Sequence, residues 1–171
     1  MSAEPSAAAW AGVERFPLHG VAVDVRSLYN VGALFRASEA ARVARLWLTG
    51  MTGHPGRNPA QIAKTALGAE HSVPWTWAPD PAPVLAGLRA QGVRLVALEV
   101  SPRAQPLHAL THDRFPLALV VGHETDGVPR AVLDACDEVV SIPTYGRKPS
   151  LNVALAYGVA VLHAARVFAD G

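Results

Sequence analysis

The sequence predicts an α/β fold built on a mostly parallel sheet flanked by helices. Short apolar runs rich in β-branched residues alternate with helical patterns along the chain. Several runs, such as LALVV at 117–121 and VRLVAL at 93–98, are apolar on successive residues, as strands are when helices cover both sheet faces. The spacing between runs leaves room for crossover helices, which parallel pairing requires.

The first strand is expected at 21–25, followed by a helix at 31–42 with Asn30 placed to accept a free first-turn amide. A strand at 45–49 and a helix at 60–65 follow, then a strand at 72–77. The PDPAP run at 79–83 reads as a turn before a helix, expected at 82–91, rather than as a domain linker. A strand at 93–99 precedes the LALVV strand at 117–122, and Pro129 starts a helix at 130–136. The last strand spans 138–142, and Ser150 is the expected cap of a final helix at 151–168. In open parallel sheets ligands bind beyond the C-terminal strand ends, so the loops after Val25, Thr49, Gly122 and Ile142 are the places for chemistry.

With 171 residues, half of them apolar and 17% charged, the chain reads as one globular, soluble domain at 18–171 behind a loose N-terminal arm at 1–17. Glu4 and the break at Pro5-Ser6 argue against a secretion signal. A net charge of +1 gives no bulk field for nucleic acid and leaves a local basic patch open. Thirteen of the 15 cations are Arg, which suits phosphate clamps, although the many Ala residues point to compositional bias as the plainer source. Cys136 is alone, so neither an internal disulfide nor a cysteine metal cluster is expected. His108 and His112 are four apart but lack a carboxylate or cysteine partner at suitable spacing, so no metal is expected. The segment 149–165 carries no charged side chain but includes Asn152, Gly158 and His163, and reads as a core helix with no membrane role in a cytoplasmic protein.

Four loops stand out. In the first, Gly32 and Arg36 share a helix face, and the glycine leaves space beside the guanidinium; a solvated surface Arg is the plainer reading. In the second, Gly122 and Gly127 flank four residues like a phosphate loop. However, Val128-Pro129 stand where such a loop needs Lys and Ser or Thr, and Glu124 and Asp126 would repel phosphate, so a nucleoside triphosphate site is not expected. The third runs through Pro143, Gly146, Arg147 and Lys148 into Ser150-Leu151-Asn152. Asn152 is a poor helix former in an apolar helix, and its amide needs partners if buried. In the fourth, Lys64 near Gly68 can reach an anion or remain solvated. Neither a G-x-S-x-G elbow nor a G-x-G-x-x-G fingerprint is present.

Taken in order, these loops resemble the SpoU (TrmH-type) branch of the SPOUT methyltransferases. N-x-G-x-x-x-R is matched from Asn30 to Arg36, G-x-E-x-x-G from Gly122 to Gly127, I-P-x-x-G from Ile142 to Gly146, and S-L-N-V from Ser150 to Val153. KTALGA from Lys64 to Ala69 is similar to a further family segment. His123, Thr144, Ala66 and Ala154 depart from the residues usual at their positions.

The resemblance implies a C-terminal deep trefoil knot, bound S-adenosylmethionine, a homodimer with its active site near the interface, and methylation of a ribose 2′-hydroxyl in tRNA or rRNA. An inactive RNA- or cofactor-binding module and an RNA base methyltransferase are the alternatives. It further implies Arg36 as the catalytic residue, with Asn30, Glu124, Ser150 and Asn152 around it. The cofactor would lie against Val121, Gly122, His123, Glu124, Gly127, Ile142, Pro143, Thr144, Gly146, Ser150, Leu151 and Asn152. Arg26, Lys64, Arg147 and Lys148, in or near the motif loops, are the expected RNA contacts, though each reads equally as solvated charge.

Overall fold

The computed structural model describes residues 12–171. Seven strands form one sheet: β1 (Phe16–Val23), β2 (Val43–Thr49), β3 (Trp75–Ala78), β4 (Arg94–Leu98), β5 (Gln105–Pro106), β6 (Leu117–Val121) and β7 (Glu138–Ser141). Their order is β3-β2-β1-β6-β4-β7-β5, and every pairing is parallel. The helices are α1 (Leu28–Ala40), α2 (Pro59–Ala66), α3 (Ala69–Ser72), α4 (Pro81–Ala90), α5 (Arg130–Ala135) and α6 (Val153–Asp170).

The continuous apolar strands are covered on both faces, as their composition predicts. On β6, Leu117, Leu119 and Val121 join the core under α1, α2 and α6, while Ala118 and Val120 face α4 and α5. Tyr157 of α6 is fully buried, and its hydroxyl lies 2.7 Å from Ser38 Oγ of α1. Gly20 of β1 makes room for it: a Cβ there would lie 2.3 Å from the Tyr157 hydroxyl.

Four local expectations shift. The first strand starts at Phe16 rather than 21, because Pro17 falls where the β1–β2 register is irregular and costs no ladder bond. Arg15 just before it donates to Val43 O at 3.0 Å, and the expected arm at 1–17 otherwise lies largely outside the described residues. Helix α1 is capped by Ser27, whose side chain accepts from Asn30 N at 3.3 Å; Asn30 sits in the first turn with its side chain free for other partners. Helix α6 is capped by Asn152, not Ser150: Asn152 Oδ1 accepts from Ala154 N at 2.9 Å and from Leu155 N at 3.2 Å. Gly32 does not make room for Arg36. A Cβ at Gly32 would lie 2.1 Å from Thr65 Oγ1 and 2.4 Å from Ile62 O, so this glycine sets the approach of α2 to α1.

Candidate active site

A cavity of about 510 Å³ opens at the C-terminal ends of β4, β6 and β7. This is where parallel sheets bind ligands, because the strand ends leave loops with free backbone groups. The loops after β6 and β7 form its walls, and the end of β4, which lies between those two strands, forms its floor.

Beyond β6 the chain turns back on itself. His123 N donates to Gly127 O and Gly127 N donates to His123 O, both at 3.0 Å. Both motif glycines are required by this turn. A Cβ on Gly122 would lie 2.2 Å from Gly127 O, and Gly127 has a φ of +71°. His123 Nδ1 accepts from Thr125 N at 3.2 Å and from Asp126 N at 3.3 Å, which holds the tip of the turn.

The turn leans towards both neighbours of β6. On the β1 side, Glu124 Oε1 accepts from Ser27 N at 2.8 Å and Asn30 Nδ2 at 3.1 Å, and Oε2 accepts from Arg26 N at 3.3 Å. Burial acts to raise the Glu124 pKa, but these amide donors outweigh it and hold the carboxyl below its ordinary value. Asn30 Oδ1 in turn accepts from Asn152 Nδ2 at 3.2 Å. One chain of hydrogen bonds therefore links the first, second and third motifs: Glu124 to Asn30 to Asn152. The partners that Asn152 requires come from Asn30 and from the first turn of its own helix.

On the β4 side, Glu99 Oε2 accepts from Val128 N at 2.8 Å, and Oε1 accepts from Val100 N at 2.8 Å. A Cβ at Gly127 would lie 2.3 Å from Glu99 Oε2. Glu99 lines the cavity floor and was not among the residues expected from the sequence. Its signal was a single carboxylate directly after an apolar parallel strand.

Of the expected cofactor residues, Val121, Gly122, His123, Glu124, Gly127, Ile142, Thr144, Ser150 and Leu151 line the cavity. Pro143 and Gly146 lie beside it on the exposed loop after β7, and Asn152 stands behind its wall at the cap of α6. The loop after Thr49 is not part of the lining. Arg36 is exposed on α1, nearly two turns beyond Asn30, and does not line the cavity. Its neighbour Ala37 has its Cβ 3.8 Å from where a Cβ would stand on Gly158, so Arg36 flanks the α1–α6 contact. Arg26, Lys64, Arg147 and Lys148 are all exposed.

Other groups carry no chemistry here. Burial pushes the Cys136 thiol up to about 12, leaving it unreactive at neutral pH. His108 and His112 fall in separate 3-10 turns rather than on one helix face, and among the described residues no group of three or more His, Cys, Asp or Glu is placed to hold a metal ion.

The fold is thus a parallel α/β sheet whose strand ends carry a glycine-framed acidic turn, tied through asparagines to the C-terminal helix. Residues 17–162 match the SpoU rRNA Methylase family. The chain belongs to that family. It is 34% identical over 155 residues to the 23S rRNA (guanosine-2'-O-)-methyltransferase RlmB of Ralstonia nicotianae, an alignment covering 91% of this chain and 61% of that protein. The chain thus spans about three fifths of the length of that relative. The AdoMet-bound rRNA methyltransferase from Sinorhizobium meliloti superposes with a TM-score of 0.80 at 26% identity, covering 87% of this chain and 56% of the other. A structure described for 2-OH methylation of C/U34 on tRNA superposes with a TM-score of 0.76 at 28% identity, covering 90% of this chain and 97% of that one.

Proposed function

We propose that this protein is an S-adenosylmethionine-dependent methyltransferase acting on a ribose 2′-hydroxyl of tRNA or rRNA, working in the cytoplasm as a homodimer of one SPOUT-type domain with its C-terminal segment threaded as a trefoil knot. The observation that carries this reading is the convergence of the second and third motifs on one cavity, locked to the first motif through Asn30. Its relatives are named for the same reaction.

The lining fits the donor. Glu99, Glu124 and Asp126 line the cavity, and among the described residues neither Lys nor Arg does. That set attracts a sulfonium or ammonium cation and repels a polyphosphate. Leu98, Val100, Ile142 and Leu151 add apolar surface suited to an adenine ring. When bound, S-adenosylmethionine supplies a methyl group already activated by its positive sulfur. The protein's remaining task is alignment of the acceptor oxygen and stabilisation of the charge it develops.

Ser150 lines the cavity and Asn152 caps α6 beside it, and an acceptor ribose would enter on that side. Asn30 and Glu124 hold that wall in register. Arg36 is the cation for the developing alkoxide. An arginine stays protonated in proteins, so it acts as a charge and phosphate clamp rather than as a base. Because Arg36 lies outside its own chain's cavity, it serves the cavity of a second subunit. The exposed stripe of Leu155, Val159 and Leu162 on α6, beside Arg36, is the surface that such a subunit would cover. Arg26, Lys64, Arg147 and Lys148 hold RNA phosphates on either side.

The test incubates the purified protein with methyl-labelled donor and bulk tRNA or rRNA, followed by nuclease digestion. A labelled 2′-O-methyl nucleoside is expected. Label in a base, or donor binding with no transfer to either RNA, would overturn the reading.

A further inference from the structure

Glu99 adds more to the cavity than negative charge. Glu99 follows β4, and β4 lies between β6 and β7, the two strands whose exit loops form the cavity walls. Its backbone N donates to Val140 O of β7 at 3.0 Å, while its side chain accepts from Val128 N beyond the β6 turn at 2.8 Å. The carboxylate is therefore fixed at the centre of the floor, between both walls. Glu124 differs. It lies on the β1 flank, and three donors, two from the loop after β1 and one from Asn30, already occupy its two oxygens.

An ionised carboxylate has about four acceptor positions. Glu99 uses one on each oxygen, for Val100 N and Val128 N, and so retains one on each for a ligand. Two adjacent acceptors held in a plane match a vicinal diol, whose two hydroxyls donate in parallel. An acidic side chain at a parallel strand end is a known solution to ribose recognition in other α/β sheets. The same two amides give the carboxylate its orientation before any ligand arrives, so little ordering is lost on binding.

We infer that Glu99 is a specificity residue that receives the ribose hydroxyls of the methyl donor, and that it couples donor binding to the Gly127–Val128 turn. This rests on the assignment of the cavity to S-adenosylmethionine. That assignment is checked separately by whether the unaltered protein binds S-adenosylhomocysteine at all.

The experiment measures calorimetric affinities of the full chain and of Glu99→Gln for three ligands: S-adenosylhomocysteine, 5′-methylthioadenosine and 2′-deoxy-5′-methylthioadenosine. Methylthioadenosine keeps the diol but lacks the amino acid, so it separates the ribose from the ammonium group. Glu99→Gln should weaken the two diol-bearing ligands by a similar factor, roughly tenfold. It should weaken the 2′-deoxy ligand, which keeps one of the two hydroxyls, by a clearly smaller factor. Loss for S-adenosylhomocysteine alone would place the ammonium at Glu99 and overturn the inference. Equal loss for all three, or no loss, would leave Glu99 only as the anchor of the Val128 amide and overturn it as well. Should Glu99→Gln fail to fold, Glu99→Asp, which keeps the charge but draws it back from the cavity, is put through the same three-ligand comparison with the same outcomes.

Discussion

At the scale of single residues, the site separates charge that is already committed from charge that is available. Glu124 is more acidic in the folded chain than an ordinary carboxyl because the amides of Ser27, Arg26 and Asn30 favour its ionised form over the burial that opposes it. A carboxyl depressed in this way stabilises the fold above its unfolded pKa and loses that contribution as pH falls through its folded value. Glu124→Gln should therefore cost about 1–3 kcal/mol at neutral pH, since its amide places donors against donors. The deficit should shrink as pH drops below the usual carboxylate range, which denaturant titrations over a pH series would show. Arg36 is the opposite case: exposed, with neither a hydrogen bond nor an ion pair to any described residue. Arg36→Ala should leave the melting temperature and donor affinity unchanged while lowering methyl transfer by on the order of a hundredfold or more. Arg36→Lys should recover only part, because a point charge lacks the planar fork. Full transfer by Arg36→Ala would remove it from the reaction.

At the scale of elements, contacts between helices are set by absent atoms as much as by present ones. Gly32 lets α2 approach α1 so closely that an added methyl would meet Thr65 Oγ1 and the Ile62 carbonyl. Backbone cannot retreat as a flexible side chain can. Gly32→Ala is therefore expected to cost about 1–3 kcal/mol, seen as a lower thermal midpoint. The contact between α1 and α6 has its own lock in Tyr157. Tyr157→Phe strands the buried Ser38 hydroxyl and should cost about 1–2 kcal/mol, whereas pairing it with Ser38→Ala should return part of that loss. Helix α6 is long and apolar enough to cross a membrane by length and composition, yet Tyr157, Ala160, Val161 and Ala164 are fully buried against the sheet and α1. Its apolar character has two sources: one face belongs to this core, and the other, Leu155, Val159 and Leu162, is exposed and is the face the proposed second subunit would cover.

At the scale of the whole molecule, catalysis needs two chains if Arg36 serves a neighbouring cavity. Mixing Arg36→Ala subunits with Asn152→Ala subunits should restore activity, because one of the two sites in a mixed dimer would hold both intact residues. Absence of any recovery, with mixed dimers shown to form, would defeat sharing across the interface. RNA affinity should fall as salt rises, since the expected contacts are exposed cations meeting phosphates. Much of this was legible in the chain. The LALVV and VRLVAL runs announced buried parallel strands, and each motif fell on a loop or helix start beside the predicted strand ends. Less legible was anything that depends on distant segments meeting. Asn30 read as a cap because capping is local, but its partners Glu124 and Asn152 lie 94 and 122 residues away. Gly32 read as space for its sequence neighbour Arg36, when the helix it accommodates begins at Pro59. Glu99 gave no motif, since its role arises only where β4 is flanked by β6 and β7.

The sequence by itself determined the kind of sheet, the order of its elements and which loops carry polar groups, because strand burial and helix periodicity are written in neighbouring residues. Only the tertiary structure decided which of the two cavity carboxylates has its oxygens taken up by the loop after β1 and Asn30 and which keeps an open acceptor position on each oxygen. That choice depends on strand order, and strand order is settled by packing across the whole sheet rather than by any local preference.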